Sequence, residues 1–210
     1  MRTSHTLVLA STNRHKFEEM TLLFKPYPEV TLVPVNEFIR NPEKIGSVET
    51  SDHYTENAIA KARLANHGCH LPCLADDSGI EVEALAGKPG ARSHRYGIPK
   101  KGETQDQANI EKLLAALKGS KNRNARFICH LALVLEGTLV QSVGILEGTI
   151  AESISGSAGF GYDPIFIPKD YTQTLAEIGI DQKNKISHRA RAVALLMEEI
   201  KKKDIILAKP

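Results

Sequence analysis

The sequence lacks tryptophan altogether and contains only three cysteines among its 210 residues. Cys69, Cys73 and Cys129 are odd in number and lack the paired spacing of a zinc site, so we expect reduced thiols in a cytoplasmic protein. A signal peptide and a run of roughly 20 apolar residues, long enough for a transmembrane helix, are not recognisable either. These absences argue against a disulfide-rich secreted protein and against a membrane protein.

A strong charge of one sign is also missing, because 27 Lys and Arg residues face 25 Asp and Glu residues. With a net charge of +2 and no basic stripe, we expect no nucleic-acid partner. The phosphate-binding pattern GxxxxGK[ST] and the dinucleotide-binding pattern GxGxxG do not occur. Any phosphate must therefore be bound by a local arrangement of residues. The length and composition predict a single domain over residues 1–210.

Short apolar runs alternate with helical patterns along the chain, which predicts an α/β fold. Thr104 is the expected N-cap of one helix, and Ser187 is that of the last. Glu136-Gly137 separates two strand-like runs, a hairpin signal, so the sheet should be mixed and flanked by helices. Strands are expected at 6–10, 31–35, 71–75, 125–152 and 164–168, helices at about 17–24, 53–67, 104–118 and from 187 on, and loops at 40–52 and 153–164.

Asp76 and Asp77 are adjacent carboxylates, followed by Ser78 and Gly79, at the predicted C-terminal end of the 71–75 strand. One interpretation is a turn or helix cap, for which Asp is well suited. The other is a Mg²⁺ site, because Mg²⁺ prefers oxygen ligands and often bridges carboxylates to substrate phosphates.

Residues 11–16 form a polar loop between the first strand and the first helix, where backbone N–H groups and the helix dipole favour an anion. Asn13 and Lys16 would add a neutral donor and a cation. A capped helix start with solvated charges explains the same residues.

The glycine-rich stretch 156–164 contains Phe160 and Tyr162, which could stack on a flat heterocycle, although Phe160 could equally anchor the core. His188 and Arg189 follow Ser187 in the first turn of the last helix, where the helix dipole disfavours cations. This placement indicates an anionic or acceptor-rich ligand, or merely a common helix start.

Taken together, these segments resemble the inosine triphosphate pyrophosphatase family, which hydrolyses non-standard purine nucleoside triphosphates (ITP, dITP, XTP). Five motifs occur in the family's order between residue 7 and about residue 195. They are LVLASTNRHKFEEM, TENAIAKARLA, LADDSGIEVEALAGKPGARSHRYG, GFGYDPIFIP and KNKISHRARA.

The resemblance implies a homodimer whose protomers have a long central mixed sheet and two lobes around an active-site cleft. It also implies Mg²⁺-dependent cleavage between the α- and β-phosphates, which yields the monophosphate and pyrophosphate. Asp77 would be metal ligand and general base with Asp76 beside it, Lys16 a second catalytic residue, and Glu49 a metal ligand. The implied substrate contacts are Ser11, Thr12, Asn13, Arg14, His15, Lys16, Ser78, Arg95, Phe160, Gly161, Tyr162, Asp163, Lys183, His188 and Arg189.

The sequence departs from the family pattern at Ser11-Thr12-Asn13, where TGN is usual, at Asp52-His53-Tyr54 before the second helix, and at His94. We expect these changes to modify the activity and not to abolish it, because every charged catalytic position has its matching residue. Two other readings stay open, a nucleotide sensor without catalysis and a pyrophosphatase that prefers pyrimidine nucleotides.

Overall fold

The computed structural model describes residues 5–203 and Ile205. Seven strands are β1 His5–Leu9, β2 Val30–Pro34, β3 Cys73–Val82, β4 Pro89–Gly90, β5 Asn124–Leu135, β6 Thr138–Ile150 and β7 Phe166–Pro168. Seven α-helices are α1 Arg14–Phe24, α2 Lys44–Ser47, α3 Tyr54–Cys69, α4 Gln105–Ala116, α5 Leu175–Ile178, α6 Ile180–Ile186 and α7 His188–Lys202. Among the helices within these residues, none is long and apolar enough to cross a membrane.

The strands form one seven-stranded mixed sheet in the order β2-β1-β3-β5-β6-β7, with β4 paired to β3. β1 is parallel to β2 and β3, whereas the β3–β4 and β6–β7 pairs are antiparallel. The predicted α/β class with a mixed sheet flanked by helices is confirmed. The predicted hairpin is also confirmed, because Glu136 and Gly137 both have positive φ (46° and 81°), as a two-residue turn between twisted strands requires.

The chain divides into two compact units that alternate along the sequence. The first unit contains residues up to Asp77, residues 129–144 and residues from Arg189 onward, and the second contains 78–128 and 145–188. Strands β3, β5 and β6 supply residues to both units. The expectation of a single domain stays a prediction.

Strand alternation divides the core of the first unit into two apolar clusters. Leu7, Leu9 and Leu74 point to the cluster that α1 and α7 complete, whereas Val8 and Ala75 point to the cluster that α3 completes. Both faces of β1 and of the start of β3 are thus buried, which explains why these segments read as continuous apolar runs.

The second unit has its own core, in which the rings of Phe127 and Phe166 lie 4.6 Å apart. Helix α4 begins at the predicted N-cap: Thr104 and Gln107 form a capping box in which each side chain accepts from the other's backbone N–H.

Two sequence-based expectations need correction. Residues 40–52 are not entirely loop, because α2 occupies Lys44–Ser47 and buries Ile45. The 71–75 strand does not end before the two aspartates, because β3 extends to Val82. What ends there is the neighbouring strand β1, whose last register partner on β3 is Leu74.

Candidate active site

Asp76 and Asp77 lie within β3 and are both buried, at 0% and 4% exposure. Successive side chains of a strand point to opposite faces of the sheet, so the two carboxylates face different helices. Asp76 continues the face of Leu74 and meets residues of α1 and α7, whereas Asp77 continues the face of Ala75 and meets residues of α3. The nearest cationic contacts of the two aspartates therefore lie on opposite faces of the sheet.

On the α1 and α7 face, Asp76 contacts two cationic side chains. Lys16 Nζ lies 3.0 Å from Asp76 Oδ2, and Arg189 Nε lies 3.5 Å from the same oxygen. Arg189 also donates from Nη1 to the buried carboxylate of Glu19 at 3.0 Å. Burial opposes ionisation of Asp76, but the charges of Lys16, Arg189 and Lys61 outweigh it and hold the pKa of the carboxyl well below its usual range.

On the α3 face, Asp77 contacts Asn57 and Lys61. Asn57 Nδ2 donates to Asp77 Oδ2 at 2.9 Å, and Lys61 Nζ lies 3.5 Å from Asp77 Oδ1. Burial raises the pKa of Asp77, and the Lys61 charge and the Asn57 hydrogen bond oppose that rise without cancelling it. A carboxylate with a raised pKa is a better proton acceptor, which suits a general base.

Lys61 is itself buried, at 3% exposure, and its ammonium lies among carboxyl and carbonyl oxygens. Its Nζ lies 2.5 Å from Glu49 Oε1 and donates to the backbone oxygen of Asp76. Burial disfavours the ammonium, but the charges of Asp76, Asp77 and Glu49 raise its pKa overall. Glu49 and Asp77 therefore converge on one positive charge.

These residues form what we call the charge cluster, in which three cations meet four carboxylates, so that one negative charge is in excess when all are ionised. Its members are Lys16, Lys61, Arg189, Glu19, Glu49, Asp76 and Asp77.

The loop before α1 is organised as a helix start. Asn13 is the N-cap, and its Oδ1 accepts from Lys16 N at 3.1 Å, while Ser11 Oγ accepts from Asn13 N at 3.2 Å. Arg14 and His15 are exposed and lie beside Glu18, and Thr12 is exposed as well. Among the predicted phosphate contacts, Lys16 is thus the residue whose charged group contacts Asp76.

In the second unit, residues 159–163 form what we call the aromatic loop. Asp163 is buried, with 2% of the residue exposed. Its carboxylate accepts hydrogen bonds from Phe160 N at 3.0 Å and from Lys183 Nζ at 2.7 Å. Lys183 Nζ lies 4.8 Å from the centre of the Phe160 ring. Gly159 has φ +80°, and a Cβ there would collide with the Asp163 carboxylate, so this position requires glycine.

Two further contacts hold the aromatic loop. Gly161 N donates to Asp106 Oδ2 in the first turn of α4 at 2.8 Å, and the hydroxyl of Tyr162 donates to Ser93 O at 2.8 Å. Burial raises the pKa of Tyr162, so the hydroxyl keeps its proton as a donor.

The remaining predicted residues of the second unit lie in defined elements. His188 begins α7, is 2% exposed, and stacks on Phe127 with ring centres 4.7 Å apart. Ser78 follows Asp77 in β3, and Arg95 ends a short 3-10 turn, Ser93–Arg95.

Sequence reasoning missed four residues that organise the two groups, Asn57, Lys61, Glu19 and Asp106. A signal for the first two was present: they lie four residues apart in α3 among its buried positions Tyr54, Ala58, Ala62 and Ala65. A lysine and an asparagine within a buried helical stripe must find polar partners. Glu19 and Asp106 have no comparable signal, since acidic residues on helix surfaces are common.

A set of two carboxylates agrees with Mg²⁺, which takes oxygen ligands and keeps several waters or substrate phosphates. Asp77 in β3 and Glu49 in the segment after α2 converge on the Lys61 ammonium, so their oxygens already neutralise one cation. Among residues 5–203 and Ile205, no three His, Cys, Asp or Glu side chains converge as a complete metal-binding group. Two carboxylates would leave the other coordination positions of Mg²⁺ to waters and substrate phosphates.

Known proteins are similar to this chain over most of its length. The dITP/XTP pyrophosphatase of Christiangramia forsetii is 42% identical over 196 residues, which cover 93% of this chain and 99% of that protein. The dITP/XTP pyrophosphatase of Bacillus subtilis is 42% identical over 194 residues, covering 90% and 93%.

Among solved structures, a HAM1 protein from Coxiella burnetii superposes with a TM-score of 0.79 at 38% identity, covering 94% of this chain and 99% of that one. The Staphylococcus aureus Ham1 protein has the same TM-score at 34% identity, with the same coverage. The sequence model of the Ham1 family matches residues 7–199. A match over nearly the whole chain, in sequence and in fold, places it in that family: the chain belongs to the Ham1 family.

Proposed function

We propose that this protein hydrolyses the non-standard purine nucleoside triphosphates ITP, dITP and XTP to the monophosphate and pyrophosphate, with Mg²⁺ as cofactor. The observation that carries the proposal is the buried Asp77 carboxylate, which Asn57 and Lys61 contact from two sides and hold in position to accept a proton. The relatives named dITP/XTP pyrophosphatase support the reaction class and the choice of purine.

Asp77 accepts the proton of the attacking water in this proposal. Asn57 and Lys61 fix the carboxylate from two sides, so one orientation of its oxygens is maintained. Removing a general base typically costs 100-fold to 10,000-fold in rate, which sets the size of the effect expected at this residue.

Lys16 neutralises charge on the triphosphate. Its side chain is 17% exposed and its ammonium is bound to Asp76, so the charged group is held in place and is still accessible. The N-terminus of α1 adds backbone N–H groups of the 11–16 loop, which favour phosphate oxygens. These contacts act mainly by stabilising charge that develops in the transition state.

Mg²⁺ would be held by Asp77 and Glu49, and it would supply charge neutralisation on the phosphate oxygens. The excess negative charge of the charge cluster supports the choice of a divalent cation, because a polyanionic triphosphate alone would meet a cluster of its own sign.

The residues of the second unit bind the purine in this proposal. We assign Phe160 to stack on the purine and the buried Lys183 and His188 as donors to the oxygen at purine position 6 of ITP and XTP. ATP carries an amino donor at that position, and a donor facing a donor leaves two buried polar groups unpaired, which can be strongly rejected. Arg189 is bound to Glu19 and Asp76, so we assign it first to holding Asp76.

The test is pyrophosphate release from ITP, dITP, XTP, GTP, ATP and dTTP at fixed Mg²⁺. Wild type should prefer ITP, dITP and XTP, and Asp77→Asn should lose about 100-fold to 10,000-fold in kcat while remaining folded by circular dichroism. The matched control is Asp170→Asn, an exposed aspartate with φ 69°, a conformation that asparagine tolerates.

Retained activity in Asp77→Asn would remove Asp77 from the mechanism. Preference for dTTP would favour a pyrimidine pyrophosphatase, and tight binding of ITP without turnover would favour a sensor. The family resemblance further leads us to propose a homodimer acting in the cytoplasm, and light scattering of the purified protein would measure the oligomeric state.

A further inference from the structure

Two cysteine thiols of the first unit touch one another outside the charge cluster. Cys69 Sγ, at the last residue of α3, lies 3.4 Å from Cys73 Sγ, at the first residue of β3. Cys73 is fully buried, whereas Cys69 is partly exposed. Among the described residues no group of metal-ligating side chains includes them, so they are not half of a metal site.

The connection between the two cysteines is held by its own hydrogen bonds. His70 takes a left-handed conformation (φ 57°) that ends α3, and its backbone N–H donates to Asn66 O at 2.8 Å. The Asn66 side chain donates to Leu71 O at 2.8 Å, and Pro72 O accepts from Val8 N in β1 at 2.9 Å. These hydrogen bonds hold the turn that brings the two sulfurs into contact.

We propose that Cys69 and Cys73 form a site of reversible oxidation, at which a low-molecular-weight disulfide such as oxidised glutathione converts the two thiols to an intramolecular disulfide. A disulfide bond is about 2.05 Å long. The sulfurs must approach by only about 1.4 Å from their present contact to reach that length.

The partly exposed Cys69 reacts first. Its thiolate attacks one sulfur of oxidised glutathione, which breaks the glutathione S–S bond, releases one glutathione thiolate and leaves a mixed disulfide on Cys69. Cys73 then attacks the Cys69 sulfur while its proton passes to the departing glutathione sulfur, so the Cys69–glutathione bond breaks and the second glutathione leaves as a thiol. Two thiols lose two electrons and two protons, and one glutathione disulfide becomes two glutathione thiols.

Burial explains why the order is not reversed. It raises the pKa of Cys73, and the neighbouring Cys69 raises it further, so Cys73 is a neutral thiol that an external oxidant does not reach. The adjacent sulfur of Cys69 is the disulfide partner within its reach. Cys129 is fully buried too, and burial is likewise the main cause of its raised pKa, so it provides an internal control.

The disulfide would link the end of α3 to the start of β3, the two elements that carry Asn57 and Lys61 on one side and Asp76 and Asp77 on the other. Closing this short loop restricts the unfolded chain. We expect the thermal midpoint to rise by about 2–6 °C on oxidation.

The test incubates the full-length protein with oxidised glutathione and analyses the tryptic peptide that contains both cysteines by mass spectrometry. Wild type and Cys129→Ser should both lose two hydrogens from this peptide, and the loss should reverse with dithiothreitol. Cys73→Ser should instead keep a glutathione adduct on Cys69, and its thermal midpoint should not rise on incubation with oxidised glutathione.

Two outcomes would overturn the proposal. One is a stable glutathione adduct on wild-type Cys69. The other is no reaction of the protein under conditions in which oxidised glutathione oxidises a control peptide with free thiols. A disulfide that disappears in Cys129→Ser would overturn the pairing. If Cys73→Ser does not fold, wild type and Cys129→Ser alone decide the outcome. Neither readout involves a nucleotide, so the result is independent of the proposed activity.

Discussion

The two units of this protein position their candidate functional side chains by different means. In the first unit, Lys16 and Arg189 contact Asp76, and Lys61 contacts both Asp77 and Glu49, so ion pairs position these carboxylates. In the second unit, the carboxylates of Asp163 and Asp106 accept hydrogen bonds from backbone N–H groups of the aromatic loop, and one buried ion pair, Asp163–Lys183, takes the place of a network.

This difference matters because the two kinds of contact respond differently to substitution. Removing one member of a buried ion-pair network leaves the others uncompensated, which is costly and changes the pKa of what remains. Removing a side chain that accepts a hydrogen bond from a backbone N–H loosens one loop and lowers the free energy of unfolding by less. We therefore expect variants of the charge cluster to alter stability, pH dependence and kcat, and variants around the aromatic loop to alter KM more than kcat.

The largest effect should follow from Lys61→Met, which removes the cation shared by Asp77 and Glu49. The free energy of unfolding should fall by about 3–5 kcal/mol, measured by urea denaturation. Because the Lys61 charge lowers the pKa of Asp77, its loss should raise that pKa further. The acid limb of the kcat profile should therefore move to higher pH.

Lys118→Met removes an exposed lysine and is the matched control for Lys61→Met. An acid limb that stays in place while stability falls would show that Lys61 has a structural role only.

The next effect concerns the acid stability of the first unit. A carboxyl whose folded pKa is depressed, as for Asp76, stabilises the fold above its unfolded pKa of about 3.9, and that contribution is lost as pH falls toward the folded pKa. Wild type should lose stability below about pH 4, and Asp76→Asn should be less stable at pH 7 with a shallower loss in acid. Denaturation midpoints at a series of pH values measure both; equal slopes would contradict the assignment.

In the second unit, Lys183→Met should leave the buried Asp163 carboxylate without its cation and cost about 3 kcal/mol of stability. In steady-state kinetics KM for ITP should rise at least about tenfold, a loss of roughly 1.4 kcal/mol in binding, with a smaller change in kcat. A drop in kcat at unchanged KM would break the proposed division of roles between the units.

The smallest effect should come from Asp106, which acts through Gly161 and is a positioning residue. Asp106→Ala should raise KM for ITP about threefold to tenfold, because one hydrogen bond that holds the aromatic loop is lost. Asp106→Asn retains an acceptor oxygen and should restore KM to near the wild-type value. Equal effects of the two substitutions would indicate a role for the charge and not for the loop.

Much of the architecture could be read from local sequence. Glu136-Gly137 predicted the hairpin because few residues tolerate two consecutive positive φ angles, and Thr104 predicted a helix start because its hydroxyl caps free N–H groups. The end of β3 was misplaced, since two aspartates resemble a turn locally and are accommodated in a strand only when cations from other elements surround them.

The sequence by itself determined the alternation of strands and helices, the capped start of α4 at Thr104 and the presence of paired aspartates, because these depend on residues near one another in the chain. Only the tertiary structure decided that Asp76 and Asp77 face opposite sides of the sheet and meet different cations. The partners come from 60 residues away for Lys16 and from the last helix for Arg189. Such pairings depend on how helices cover the sheet, and burial then sets the pKa of each carboxylate.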